Sequence, residues 1–498
     1  METKRRERLW WAAVSATALA GLVLRVVAAQ GGLWTDEAWS MIYAAKARNP
    51  MGVFLRINHD NNHHLNSLWL QAIGPGASPL LARVPAIAAG TLCILVAASL
   101  CRRCSRKAGM VAALLFAVAP TFVAFGSEAR GYAMMLLAAL LMFLLVAVVL
   151  EGRPARGARW WLAALAVFGM FSHLTMAAPV AIVTTWLYLE RRTTLGPRLA
   201  LFGTFRLMGP ALAATIGVIL FVFVAATMSP TGMRVGGIEP FSSELFVAAL
   251  DDLALWSAGF RSSLPWLVPL GAGAAALLVM VRPPDWAGPR TRLYAMLVLT
   301  VPIGLAMLRA SNSGYARYYL MSGVGLLLMM SEWIARGLEG RPAVRAAAGL
   351  LIVTLMGASL WRDSLLVRAD RGRPEIPVRD MASLSPSGAS VAFAEPRLKA
   401  VVAVAAERIG YRARFAGGCA PADFLLAAQS RRSHWAASVQ RCGIEMDAID
   451  SSVAIPLGGD SWVLYRAKTL QSFGSADSGR APAAKDRRFS GRAGVAQG

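Results

Sequence analysis

Between Leu9 and Trp361 stretches of about 20 mostly apolar residues recur almost without pause, and a helix of that length crosses a hydrocarbon core about 30 Å thick. Few folds accept such a pattern, because a segment in lipid must satisfy all of its backbone groups internally. The 498-residue sequence is 56% hydrophobic and 16% charged, with a mean hydropathy of +0.51, which excludes a water-soluble domain of ordinary composition. Its formal net charge of +23 would suit nucleic acid if it lay along one face. The Arg and Lys residues instead form short clusters between apolar runs, the pattern of the positive-inside rule.

Lys4, Arg5, Arg6 and Arg8 precede the first run, Leu9 to Ala29. Its length favours an uncleaved span over a signal peptide, although Ala28-Ala29-Gln30 leaves a cleavage reading open. The basic residues place the N-terminus in the cytoplasm. Further spans are expected at about 78–100, 108–126, 132–150, 160–173, 175–189, 207–227, 264–281, 293–309, 318–335 and 344–361. Trp160 to Leu189 reads either as one long tilted helix or as two short ones turning at Ser172-His173. Charge favours two, since a single helix would put the clusters around Arg282 and Arg336 outside the cytoplasm. The expectation is therefore about 11 transmembrane helices in an inner (plasma) membrane, with the C-terminal region extracytoplasmic.

Two outer segments, Gln30 to Ala77 and Met228 to Ser263, alternate aromatic and aliphatic residues with polar ones and suit interfacial helices. After a transmembrane domain covering 1–361, residues 362–468 read as a small α/β domain. Strands are expected at Ala389–Ala394, Phe424–Ala427 and Ser461–Tyr465, with a helix at Leu398–Ile409. Residues 469–498 lack apolar periodicity and read as a disordered tail. Cys419 and Cys442 are a candidate bridge if that domain meets an oxidising compartment, with small buried thiols as the plainer alternative. Cys101-Arg102-Arg103-Cys104 is one isolated pair at a basic helix end and carries little.

Residues suited to chemistry gather on one face. Trp34-Thr35-Asp36-Glu37-Ala38-Trp39 sets two acids just beyond the first span. An interfacial aromatic belt explains the tryptophans, but not the paired carboxylates. Asn58-His59-Asp60-Asn61-Asn62-His63-His64-Leu65-Asn66 holds three of the five histidines, and it reads equally as a polar turn or as a source of metal ligands. Ser127-Glu128-Ala129-Arg130-Gly131-Tyr132 is a short turn where acid and base either pair with each other or hold a ligand.

The order of these features resembles the family 39 glycosyltransferases of the GT-C fold, a group that includes protein O-mannosyltransferases and the bacterial lipid A aminoarabinose transferase. The resemblance is carried by Trp-Thr-Asp-Glu-Ala at 34–38, His-His-Leu-Asn-Ser-Leu-Trp-Leu at 63–70, Ala82-Arg83-Val84-Pro85, Ala119-Pro120 and the 127–132 turn. Tyr315-Ala316-Arg317-Tyr318-Tyr319 is similar to an Arg-Tyr element before a late span. It implies a polyprenyl-phosphate-linked sugar donor, attack by an acceptor hydroxyl on the outer face, and inversion at the anomeric carbon. Asp36 matches the family's first-loop acid, and Glu128 its second acidic position. Where relatives often carry His-Pro-Pro-Leu, this chain has Asn62-His63-His64-Leu65, so roles for His63 and His64 do not carry over.

The chemistry fits these residue types. A carboxylate serves as general base for a weakly nucleophilic hydroxyl, and a cation stabilises a departing phosphate. Asp36 is the expected base. Glu37, Glu128 and His63 or His64 are expected to support phosphate or a divalent metal of unspecified identity, with Arg83, Arg130, Tyr132 and Arg317 as substrate contacts. Snorkelling at the interface is the alternative for each Arg. The acceptor is a lipid, a glycan or a protein. Rival readings are a secondary transporter, which would place ionisable groups near the midplane and repeat its helices, and a non-catalytic lipid-carrier-binding protein, which would dispense with the acids.

Overall fold

Each expected apolar run is helical in the computed structural model of the chain, which describes residues 2–57, 62–153, 155–229, 239–259, 264, 266–282, 288–429, 434–455 and 457–468. His59 and Asp60, residues 230–238 and 260–263 of the second outer segment, and the tail expected over 469–498 lie outside the described residues. In chain order the helices are α1 (Glu2–Ala28), α2 (Thr35–Lys46), α3 (Pro50–Leu55), α4 (His64–Ile73), α5 (Pro79–Arg102), α6 (Arg106–Val118), α7 (Pro120–Phe125), α8 (Tyr132–Leu150) and α9 (Ala158–Ser172). They continue with α10 (Ala177–Leu195), α11 (Pro197–Thr227), α12 (Ser243–Ala258), α13 (Leu267–Val281), α14 (Pro289–Met307), α15 (Leu320–Gly337), α16 (Pro342–Ala369), α17 (Ile376–Leu384) and α18 (Leu398–Ile409). Among the described residues seven segments, α1, α5, α8, α11, α14, α15 with its preceding turn, and α16, are long and apolar enough to cross a membrane. The other four expected spans are α6, α9, α10 and α13, which are shorter or more polar.

Two helix breaks shape the bundle. His173 is extended between α9 and α10 (φ −162°, ψ 129°), and its Nδ1 accepts the Thr175 N–H at 3.1 Å. Trp160 to Leu189 is thus two helices, as the charge pattern requires. The span expected over 108–126 also divides, because Pro120 has no N–H to offer the Phe116 carbonyl. Ala119 is extended (φ −64°, ψ 120°), and α6 gives way to α7. Arg25 of α1 takes up the freed acceptors, donating to Phe116 O at 3.0 Å and Ala117 O at 3.3 Å. Glycines make room for it: a Cβ at Gly90 or Gly126 would lie 2.9 or 2.7 Å from Arg25 Nε. Asp363 of α16, 1% exposed, is buried in the same bundle, with neither of its oxygens hydrogen-bonded among the described residues. Arg25 belongs to the packing of the bundle, since its guanidinium is committed to the carbonyls of Gly21, Phe116 and Ala117.

α16 runs unbroken through residues 361 and 362 to Ala369 and ends in a left-handed turn, with φ of 43° at Asp370, 52° at Arg371, 82° at Gly372 and 53° at Arg373. Beyond it lies a six-stranded sheet of β1 (Ala389–Phe393), β2 (Ala413–Phe415), β3 (Phe424–Gln429), β4 (Ser438–Arg441), β5 (Ile444–Ser452) and β6 (Ser461–Ala467). Its order is β2-β1-β3-β6-β5-β4, with β1 parallel to β2 and β3 and the remaining pairs antiparallel. α18 packs on this sheet through Leu398 and Val402, and on α2 through Val401 and Val404 against Ala38 and Met41. The sheet domain therefore sits on the side of the bundle that carries Asp36. Cys419 and Cys442 are bridged, with Cα atoms 5.6 Å apart.

Candidate functional site

α2 begins immediately after an extended Trp34 (φ −76°, ψ 174°), so Asp36 and Glu37 occupy its first turn, where the helix dipole favours negative charge. The two neighbours point into different surroundings. Glu37 is fully buried, and both of its oxygens meet Arg83, Nε to Oε1 at 2.9 Å and Nη2 to Oε2 at 2.5 Å. The Ala129 N–H donates to Oε1 at 2.6 Å and the Trp34 N–H to Oε2 at 3.3 Å. Four donors fill a carboxylate. Burial alone would raise the Glu37 pKa, but Arg83 and the Ala129 amide outweigh it and hold the group below the ordinary range. Arg83, also 0% exposed, spends its other donors on the carbonyls of Ala29 at 2.8 Å and Gly32 at 2.8 Å. The pair ties the end of α1, the starts of α2 and α5 and the 127–131 turn into one unit. Neither residue has a free group for a metal or a phosphate, which corrects the expectation for both.

Asp36 faces the other way, and its carboxylate pairs with Arg130 and, at 3.1 Å, with Nη1 of Arg317, two residues that line a cleft. Burial raises its pKa, yet Arg130, Arg317 and Arg397 together more than reverse this, so it stays ionised. Arg317 lies on the turn Ala316–Tyr319, over the rings of Tyr315 at 4.8 Å and Tyr318 at 5.7 Å. Arg130 lies over Tyr132 at 5.3 Å and donates from Nε to His63 Nε2 at 3.0 Å. Burial, followed by the charge of Arg130, pushes the His63 pKa well down. A neutral imidazole accepts from Arg130, so His63 orients that guanidinium. Gly131 lets the 127–131 turn approach the end of α9, since a Cβ there would meet the Ser172 carbonyl at 1.7 Å. His64 instead stacks on Phe54 at 5.3 Å and meets the edge of Phe171. Burial lowers its pKa to about 4.

Glu128 is 1% exposed, and neither of its oxygens has a hydrogen-bond partner among the described residues. The nearest cation, Arg130 Nε, stands 3.8 Å away. Burial, with the charges of Glu37 and Asp36 added, pushes its pKa up to about 7 against the pull of Arg130 and Arg371. It lines a small cleft of about 90 Å³ with Trp34, Arg130, Tyr315, Arg317 and Asp460. The turn beneath it is fixed by Asn66, whose Nδ2 donates to Ala129 O at 2.6 Å, and by Arg371, which donates to Ser127 O at 2.8 Å and Oγ at 3.1 Å.

An acid whose folded pKa of about 7 exceeds its ordinary 4.5 keeps, in the folded state, a proton that the unfolded chain has lost between those values. Its contribution to stability therefore falls as pH rises through that window, by about 3 kcal/mol in all. Glu128→Gln lacks this slope. Melting in detergent should show the variant gaining several degrees on the wild type between pH 5 and pH 8; a gap constant with pH would contradict the buried, unpartnered carboxyl.

Among the described residues, no three of His, Cys, Asp and Glu stand close enough to hold a metal ion. Glu37 is filled by four donors, Asp36 is held by two guanidinium groups, His63 Nε2 is given to Arg130, and His64 is stacked away from the acids. Of the expected ligands only Glu128 keeps unpartnered oxygens, so these four residues form no metal site among the described residues, and the positive charge beside Glu128 comes from Arg130 and Arg317. Of the expected site residues, the structure joins Asp36, Glu128, Arg130, Tyr132, His63 and Arg317. It turns Glu37 and Arg83 inward and leaves His64 in an aromatic pocket. Arg371 and Asp460 were not anticipated, because no local motif marks them and their partners lie hundreds of residues away.

Residues 67–226 match the profile of the family described as dolichyl-phosphate-mannose-protein mannosyltransferase. No curated protein matches the chain by sequence. Among solved structures, the chain is similar to ArnT from Cupriavidus metallidurans in the apo state, with a TM-score of 0.51 and 13% identity over 92% of this chain and 98% of that one. It is also similar to the Archaeoglobus fulgidus oligosaccharyltransferase tethered with an acceptor peptide, at 0.48 and 10%, over 82% of this chain and 63% of that one. Oligosaccharyltransferase structures from the same organism include a complex with Zn and sulfate, at 0.48 and 11%, over 81% and 62%. Another holds an inhibitory peptide and a dolichol-phosphate, at 0.47 and 11%, over 85% and 70%. The chain thus spans about 63% of the length of the oligosaccharyltransferase. Its fold is that of the GT-C glycosyltransferases: a polytopic helical bundle with a small C-terminal sheet domain.

Proposed function

We propose that this chain is a membrane glycosyltransferase that moves a sugar from a polyprenyl-phosphate-linked donor to a hydroxyl of a lipid, glycan or protein acceptor, with inversion at the anomeric carbon. The observation that carries this reading is the Arg130–Asp36–Arg317 cluster beside Glu128, next to an apolar cavity of about 610 Å³. That cavity lies between α12, α13, α14 and α15, lined by residues such as Phe246, Leu253, Leu270, Val298 and Leu326. Phe246 and Leu253 also pack on Tyr319, in the turn that bears Arg317. An isoprenoid tail in the cavity would therefore bring its phosphate to the guanidinium groups.

In the proposed reaction the acceptor oxygen attacks C1 of the sugar from the side opposite the phosphate, and the C1–O bond to phosphate breaks. The hydroxyl proton passes to Asp36, and the leaving phosphate carries its charge to Arg130 and Arg317. Donor binding helps the base, because guanidinium groups drawn to phosphate release Asp36 and restore its basicity. A single displacement inverts the centre.

We further propose that the 1–361 bundle is the catalytic domain and that the 362–468 domain shares its extracytoplasmic face in the inner membrane, with the N-terminus cytoplasmic. The contact of α18 on α2 and the Cys419–Cys442 bridge support this side. A reporter active only outside the cytoplasm should be active when fused after Asp380 and silent after Arg198; the reverse pattern would overturn the orientation. Mass spectrometry of membrane lipids and envelope glycans from cells with and without the gene tests the activity. One sugar modification should vanish with the gene and return with wild type but not with Asp36→Asn; unchanged spectra would count against transfer.

A further inference from the structure

The C-terminal domain does more than rest on the bundle, for its last loop enters the cleft. Leu457, Gly458, Gly459 and Asp460, just before β6, line the cleft with Glu128, Arg130 and Arg317. The loop is held hard against the left-handed turn at the end of α16. A Cβ at Gly459 (φ +103°) would lie 2.3 Å from Arg371 O, and one at Gly372 (φ +82°) would lie 2.2 Å from Asp460 O. Trp462 closes the contact, donating from Nε1 to Gly372 O. Arg371 in turn grips Ser127, beside Glu128. Asp460 and Glu128 are thus presented by two segments locked through one arginine.

Their carboxylates are underused. Asp460 takes a hydrogen bond from the Thr35 side chain, but its Oδ2 is buried without a partner, as are both oxygens of Glu128. Carboxylates whose acceptor positions face a cleft walled by Trp34 and Tyr315 match the chemistry of a pyranose or furanose ring, which offers hydroxyl donors at its edge and C–H groups on its face. The cations at the same cleft, Arg130 and Arg317, would hold the phosphate, which leaves the acids for the sugar.

We propose that Asp460, supplied by the C-terminal domain, is a sugar-binding residue that with Glu128 accepts hydrogen bonds from hydroxyl groups of the transferred sugar and so helps select the donor. This inference rests on the transferase reading above. It accounts for the close fit of the Gly458–Gly459 loop to Arg371, since hydrogen bonds that discriminate sugars require fixed acceptors. Asp252 also lines the cleft, from α12.

The test uses the full chain purified in detergent and calorimetric titration with citronellyl phosphate, bare or carrying mannose, glucose, galactose or arabinose. The wild type should bind at least one sugar-bearing form about tenfold or more tightly than the bare phosphate. Asp460→Asn should lose that preference, weakening the sugar-bearing form by about tenfold while leaving citronellyl phosphate binding and melting temperature unchanged. Asp460→Ser should give the same selective loss. A variant that keeps the wild-type preference would overturn the role of Asp460 alone. Equal weakening of bare and sugar-bearing forms, with a lower melting temperature, would make Asp460 a structural latch and also overturn it. A wild type with no preference for any sugar-bearing form would instead overturn the transferase reading.

Discussion

Asp36→Asn is expected to lower turnover by about 10² or more, the usual scale for removing a positioned proton acceptor, while leaving the protein folded and able to bind donor. The carboxylate sits between Arg130 and Arg317, and an amide keeps its shape and one acceptor but cannot take the acceptor's proton. Binding of the bare polyprenyl phosphate should hold steady or tighten, because both guanidinium groups lose their anionic competitor. This split separates catalysis from positioning. A residue that only oriented the arginines would change donor affinity at least as much as turnover. Near-native turnover in the purified variant would remove Asp36 from the role of base.

The second large effect is on folding. Removing one partner of a fully buried ion pair leaves a charge without compensation and costs about 3–5 kcal/mol, much of the stability of an ordinary domain. Glu37→Gln and Arg83→Ala both meet this description, since both side chains are 0% exposed. Arg83→Ala should be worse, because it also strands the carbonyls of Ala29 and Gly32 that the guanidinium serves. Folded yield from membranes and melting in detergent should fall for both, in that order. Two variants that melt with the wild type and fail only in turnover would show that Glu37 and Arg83 belong to the reaction instead.

The two acids of one dipeptide thus have separate tasks, and the sequence could not divide them. Asp36 and Glu37 are adjacent, polar and equally placed in the first turn of α2; which of them is drawn inward depends on Arg83 and Ala129, 46 and 92 residues beyond Glu37. The membrane helices were legible because a 20-residue apolar run has few other fates, and the break at His173 because loop charge distinguishes sides. The break at Pro120 has a visible signal in Ala119-Pro120, but its accommodation by Arg25 needs the packed bundle. In the C-terminal domain, β1, β3 and β6 were readable from their apolar runs, and α18 from its periodicity. β4 and β5 were not, since Ser438–Arg441 and Ile444–Ser452 are polar strands that gain their conformation by pairing with each other and, through β5, with β6. Asp460 was hidden for a similar reason: its meaning lies in a glycine loop that fits against Arg371.

The measurement that bears most directly on the central claim follows the reaction itself. The chain, reconstituted in liposomes with polyprenyl-phosphate-linked sugars labelled in the sugar, would be given membrane lipids and envelope glycans as acceptors. The account predicts that one labelled sugar moves to an acceptor with release of polyprenyl phosphate, that the new linkage has the anomeric configuration opposite to the donor's, and that Asp36→Asn slows it by about 10² or more. Transfer with retained configuration, or with equal rate in Asp36→Asn, would contradict a single displacement assisted by Asp36.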